Sequence, residues 1–330
     1  MSVPLALSFP AADGYVLHGH VWAHAQPCAS RPVVVVNPAT AVLSRYYARF
    51  AAYLHAAGCE VLTYDYRGIG GSRPARLRGF RAGWIEWGSL DFEGALREVQ
   101  RRFAGQPILV AAHSAGGLAL GLAPSNHLVT RAFTMGAQFA HWRDYAPGQR
   151  LGMWWKWHVL MPALTACLGY FPGRRLGWME DAPAGVVEDW TARAPRFEAV
   201  ARRGGERVTA RMRAQWLTQC AQPRADLLAL SISDDPFAGD AAIERLLAYF
   251  TGCRRWRLHV RPAQIGVPAI GHFAFFHDRF ADTLWPIARD WLLHGACPPE
   301  FAATAWPGET PPALSRSPAP AMCAASAPPG

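Results

Sequence analysis

Lysine is almost missing from this chain: Lys156 is the single one among 33 lysines and arginines. The arginines stand in pairs at most, as at Arg101-Arg102, Arg174-Arg175, Arg202-Arg203 and Arg254-Arg255. There is no basic run and no aromatic-interleaved RNA-binding motif, so the net charge of +9 does not read as a nucleic-acid footprint. Charged residues are only 17% of the chain, which excludes a protein that is mostly solvated coil. None of the seven cysteines (Cys28, Cys59, Cys167, Cys220, Cys253, Cys297, Cys323) lies in a C-x-x-C pair. That excludes a zinc ligand set and a disulfide framework, and reduced thiols in a cytoplasmic protein are the expectation. The start, Met1-Ser2-Val3-Pro4-Leu5, lacks the basic segment and the unbroken apolar run of a signal peptide. The apolar stretch Leu151 to Tyr170 is interrupted by Lys156, His158 and Pro162. It is expected to be a buried or interfacial helix and not a stable membrane span.

What the chain does have is apolar residues in a regular order. At 330 residues and 51% hydrophobic, it has room for one large α/β domain with an insertion, or for two smaller domains. Residues 3–9 and 15–22 read as strands joined at Asp13-Gly14, a strong hairpin signal. The run Val33-Val34-Val35-Val36 suits a strand buried on both faces. Helix over 43–57, strand over 59–64, helix over 82–103, strand over 108–112, helix over 116–123 and strand over 128–135 follow. This alternation predicts a largely parallel sheet covered on both sides. From 138 to 225 the texture turns Trp- and Arg-rich with no clear strand, and a helical insertion is expected. The alternation returns with strand 226–232, helix 240–250, strand 256–260 and a final helix over 275–293. Beyond 296 the Pro-, Ala- and Ser-rich composition predicts disorder.

The chemistry is carried at Ala112-His113-Ser114-Ala115-Gly116, directly after an apolar strand and before an Ala/Gly/Leu helix. This resembles the G-x-S-x-G nucleophile elbow of α/β-hydrolases, with alanine replacing the first glycine. Such a serine sits on a tight turn, and the residues two before and two after it must be small. Asp65-Tyr66-Arg67-Gly68-Ile69-Gly70-Gly71-Ser72 is similar to the D-x-R-G-x-G-x-S segment frequent in that superfamily. There it is structural, with the arginine bonding within the loop. It lacks the G-K-[ST] ending of a phosphate loop.

The resemblance covers about residues 10–295 and is nearest to bacterial serine hydrolases of the monoacylglycerol-lipase and serine-aminopeptidase-like kind. It implies an α/β-hydrolase fold, with a mostly parallel central sheet, helices on both faces and a helical cap. Residues 1–137 and 226–295 would be the core, 138–225 the cap and 296–330 a disordered tail. Such enzymes supply their groups in the order serine, acid, histidine. Ser114 is thus the expected nucleophile and His272, in Gly271-His272-Phe273, its base. Ser233-Asp234-Asp235-Pro236-Phe237 offers the acid; the family pattern favours Asp235, with Asp234 as the competitor and a turn cap as the other role for either. The oxyanion amides would come from Ala115 and from the Asn37-Pro38-Ala39-Thr40 loop. Pro38 has no N–H, which leaves Ala39. His113 is expected to pack behind the elbow. The resemblance implies no cofactor and no metal, and a small-molecule acyl substrate. The expected reaction is ester cleavage through an acyl-enzyme, with an amidase, peptidase, thioesterase or non-catalytic binding member as alternatives. A serine at the elbow excludes the aspartate chemistry of dehalogenases and epoxide hydrolases. The tryptophans of 138–225 could line an apolar acyl pocket or form the insertion's own core.

Overall fold

A computed structural model describes residues 3–139, 141–145, 147–191, 196–199, 202–203, 206–298, 300–301, 303–305 and 307. A nine-stranded sheet organises it. In chain order its strands are β1 (Leu5–Pro10), β2 (Val16–Trp22), β3 (Val33–Asn37), β4 (Glu60–Tyr64), β5 (Ile108–His113), β6 (Val129–Met135), β7 (Asp226–Ile232), β8 (Arg254–Val260) and β9 (Thr304–Ala305). Across the sheet the order is β1-β2-β4-β3-β5-β6-β7-β8-β9. β4, β3, β5, β6, β7 and β8 pair in parallel, and β1, β2 and β9 add the antiparallel edges.

The period of two along each strand decides which layer a side chain enters. Val33 and Val35 join one apolar cluster, while Val34 and Val36 join the other on the opposite face. Leu227 and Ala229 divide from Leu228 and Leu230 in the same way. Helices cover both faces. Phe92, Leu96 and Val99 of the helical run 84–102, Leu118 of Ala115–Leu122 and Leu246 of Asp240–Leu247 pack on the first. Phe50 and Leu54 of Ala48–Ala56, with Trp285 and Trp291 of Trp285–His294, pack on the second. The fold is therefore the expected mixed α/β sandwich of three layers.

Between β6 and β7 lies a long helix, Pro147–Leu168, whose middle turn Lys156–Leu160 has π geometry and which ends at Gly169 with φ of 77°. Helices Ala184–Trp190 and Ala210–Ala221 follow. Two short ladders, Tyr170–Phe171 with Ala182–Pro183 and Arg202–Arg203 with Glu206–Arg207, correct the expectation of no strand here. Arg203 fastens this segment to the core by bonding Glu86, and it also bonds Asp189 within the segment. No helix among the described residues is long and apolar enough to cross a membrane.

Two further expectations need correction. The final helix begins at Trp285 and not at 275. The indole of Trp285 donates to the Phe275 carbonyl at 2.7 Å, so that carbonyl serves a side chain instead of a helical turn. The 296–330 segment is not featureless at its start: Phe301 is buried, and β9 pairs with Trp256 and Arg257. Residues 308–330 lie outside the described residues. Cys59, Cys167, Cys220, Cys253 and Cys297 are free.

Candidate active site

Ser114 stands where β5 turns into helix Ala115–Leu122, with φ of 52° and ψ of −120°. Such a conformation costs a non-glycine residue about 1–3 kcal/mol. Close packing holds it: a Cβ at Gly116 would lie 2.4 Å from the Asn37 carbonyl oxygen, so only glycine lets the helix pass β3 this closely. Ala112, in place of the other glycine, is buried and accommodated. Ala115 opens the helix, and its N–H donates to no described residue.

The segments after β6, β7 and β8 bring up the other groups. The Ser114 N–H donates to the Met135 carbonyl at 3.1 Å. The next residue, Gly136, has φ of 54° and lies against Asp235 and His272: a Cβ there would be 2.9 Å from Asp235 Oδ2 and 3.1 Å from His272 Nδ1. Gly136 was not foreseen, although a glycine at a strand end was the visible signal. His272 Nδ1 and Asp235 Oδ2 are 2.7 Å apart, and both side chains are buried. The other Asp235 oxygen accepts from the amides of Phe237 and Ala238. A carboxylate holding Nδ1–H leaves Nε2 as the basic nitrogen. Ser114 Oγ makes no hydrogen bond among the described residues, but it lines the same cavity as His272.

The two aspartates have separate work. Asp234 accepts from the amides of Ile270 and Gly271 at 2.9 and 3.0 Å, which clamps the loop that carries His272. Only Asp235 reaches the imidazole.

Ala39 requires a correction. Its N–H donates to Tyr47 Oη at 2.9 Å, so this donor is already taken. Pro38 has none, and the next amides, Thr40 and Ala41, donate to no described residue. Ala41 has φ of 54°. It and Ser114 are the only non-glycine residues with positive φ among the described residues, and both line the cavity. His113 is fully buried behind the elbow, and burial holds its imidazole well below the usual histidine range.

The D-x-R-G-x-G-x-S loop is structural in a different way from that expected. Arg67 reaches out of the loop, with Nε 2.6 Å from Asp91 and both terminal nitrogens 2.8 Å from Asp13. Asp65 bonds within the loop, accepting from Gly71, and also receives the Ser44 amide.

The cavity measures about 620 Å³. Trp157, Trp178, Trp190, Met161, Met179 and Phe237 give it apolar walls. Other tryptophans of the insertion pack elsewhere; Trp216 sits in the core with Cys220. The insertion thus both lines a cavity and packs on the sheet.

Sheet order, elbow turn and flanking helices together define an α/β-hydrolase. The sequence model of the family described as serine aminopeptidase, S33, matches residues 29–230, and the chain belongs to that family. No curated protein matches the chain in sequence. Among solved structures, a soluble variant of monoglyceride lipase from Saccharomyces cerevisiae, in complex with a substrate analog, is similar over 88% of this chain and 95% of its own, with TM-score 0.57 and 16% identity. An esterase from Pyrococcus furiosus is similar over 88% and 92%, with TM-score 0.51 and 14% identity. These likenesses are of fold.

Proposed function

We propose that the protein is a serine hydrolase that cleaves a carboxylic ester through an acyl-enzyme. The observation that carries this reading is the strained Ser114 on the wall of a cavity shared with a histidine whose Nδ1 is held by a buried carboxylate. An unassisted hydroxyl is a poor nucleophile at neutral pH and needs such a base. In this mechanism His272 Nε2 takes the Ser114 proton as Oγ attacks the carbonyl carbon. Asp235 orients the imidazole and stabilises its cation. The oxyanion is held by the Ala115 amide and by that of Thr40 or Ala41, both free of described acceptors. The imidazolium then protonates the leaving alkoxide. Water, deprotonated by the same histidine, cleaves the acyl-Ser114 ester and restores the hydroxyl. Residues 138–225 act as the cap over this site.

An aminopeptidase would have to hold a substrate ammonium. Lys156 and Arg45 line the cavity, and Glu180 is the only carboxylate among its lining residues. This favours the ester over the N-terminal peptide. A fluorophosphonate probe tests the reading: one adduct on Ser114, blocked by prior ester turnover inhibitors and absent in Ser114→Ala, is expected. An unlabelled Ser114 in folded protein would refute it.

A further inference from the structure

The single lysine of the chain lines the candidate active-site cavity, and its surroundings leave its charge unmatched. Lys156 Nζ lies 4.1 Å from the centroid of the Trp178 ring, which fixes the ammonium against the wall. No described carboxylate forms an ion pair with Lys156, and Arg45, also on the wall, is likewise without one. Glu180 is drawn aside to Arg174 Nε at 3.5 Å. Lys156 also opens the π turn Lys156–Leu160, a distortion frequent at functional sites. The other walls are tryptophan, methionine and phenylalanine. A cation that a bound substrate would seal among such walls needs a counter-charge, because burying an unpaired ion is costly.

We propose that the substrate is an ester bearing an anionic group away from the scissile carbonyl, and that this anion is seated on Lys156. The ester part rests on the serine-hydrolase reading above; the anion subsite does not. An apolar spacer of the substrate lies along the Trp157, Met161 and Trp190 walls, and the anion meets the ammonium over Trp178. The lysine is a specificity-determining residue and takes no part in bond breaking.

The test compares kcat/KM for two matched pairs. Monomethyl suberate against methyl octanoate places the charge on the acyl side, and ω-acetoxyoctanoate against octyl acetate places it on the alcohol side. In at least one pair the charged ester is preferred. That preference falls about tenfold or more in Lys156→Met, the scale of one charge-assisted contact, and is retained in Lys156→Arg. Calorimetry of monomethyl suberate binding to Ser114→Ala, with and without Lys156→Met, reads the subsite independently of turnover. Neutral esters turned over with no charge preference in either pair, or a preference that survives Lys156→Met, overturns the proposal. If no ester is cleaved but Lys156-dependent binding persists, the esterase reading falls and the anion subsite stands. If neither turnover nor binding depends on Lys156, the subsite falls.

Discussion

The hydroxyl of Tyr47 lies 2.8 Å from Nδ1 of His113, and the other nitrogen of that imidazole lies 2.9 Å from the His272 carbonyl oxygen. A carbonyl only accepts, so His113 carries its proton on Nε2 and accepts at Nδ1. Tyr47 must then donate to His113, and its oxygen receives the Ala39 N–H. Every proton in this buried chain has one direction. It ties the loop after β3 to the loop that carries His272, behind the elbow.

Tyr47→Phe removes one oxygen and leaves two buried partners without a bond. We expect a loss of about 1–3 kcal/mol in urea unfolding. The variant should also turn over more slowly, with kcat affected more than KM, since the loops it ties carry His272 and the amides proposed to hold the oxyanion. A stability equal to that of the wild type would show that the chain of bonds is not formed.

Ser114 combines strain with a proposed role as nucleophile, and two substitutions separate them. Ser114→Ala should lower kcat roughly 10⁴-fold or more on a p-nitrophenyl ester. Ser114→Gly should be equally inactive yet more stable by about 1 kcal/mol, because glycine adopts φ of 52° without penalty. Thermal unfolding of the two variants side by side measures the strain. A glycine variant no more stable than the alanine one would mean that the turn is unstrained.

Gly136→Ala places a methyl group against both Asp235 and His272 at a backbone angle that disfavours a side chain. Displacing the pair by about 1 Å is enough to cost roughly 100-fold in rate. A fall of that order in kcat, with far-UV circular dichroism unchanged, is the expected result. Full activity would place the Asp235–His272 pair elsewhere.

The parallel sheet was legible because its strands announce themselves: Val33 to Val36 can only be buried on both faces, and they are. The elbow was legible because its neighbours must be small. Ala39 was misread because an amide's availability depends on what meets it in space. Tyr47, eight residues downstream, carries no mark in sequence that its hydroxyl turns back to that amide. The break before Trp285 was hidden for the same reason. Phe276, Phe280 and Leu284 repeat every fourth residue as a helix would, and only the fold shows an indole capturing the Phe275 carbonyl. Lys156 was visible as a compositional rarity, but its place on the cavity wall required the long helix to be laid over the sheet.

Asp234 and Asp235 are neighbours whose substitution should give opposite signatures. Asp235→Asn removes the carboxylate that holds Nδ1–H and should lower kcat about 10⁴-fold with little loss of stability. Asp234→Asn weakens the clamp on the Ile270 and Gly271 amides and should destabilise by about 1–3 kcal/mol, with a much smaller effect on kcat. Parallel kinetics and urea titrations decide it. A larger kcat loss at Asp234 would reverse the assignment.

The buried His113 makes the fold sensitive to mild acid. Burial is the main cause of its depressed pKa, with the neighbouring His272 adding to it. In the unfolded chain the imidazole returns to an ordinary value of 6.5. As pH falls through that value, the unfolded state takes up a proton that the folded state refuses. Stability is therefore fully present above the unfolded pKa and declines below it, until the folded imidazole too is protonated. His55, depressed chiefly by burial and then by His24, pushes in the same direction, so the wild type alone does not isolate the effect. The difference between wild type and His113→Gln does. The variant should be less stable at neutral pH, because it disturbs the bonds to Tyr47 and His272, yet its unfolding free energy should fall less steeply between pH 7 and 5, a window set by histidine titration. Equal slopes in urea titrations across that window would mean that the folded His113 takes up its proton as readily as the unfolded one. That would contradict the proton arrangement fixed by the carbonyl and the phenol on either side of it.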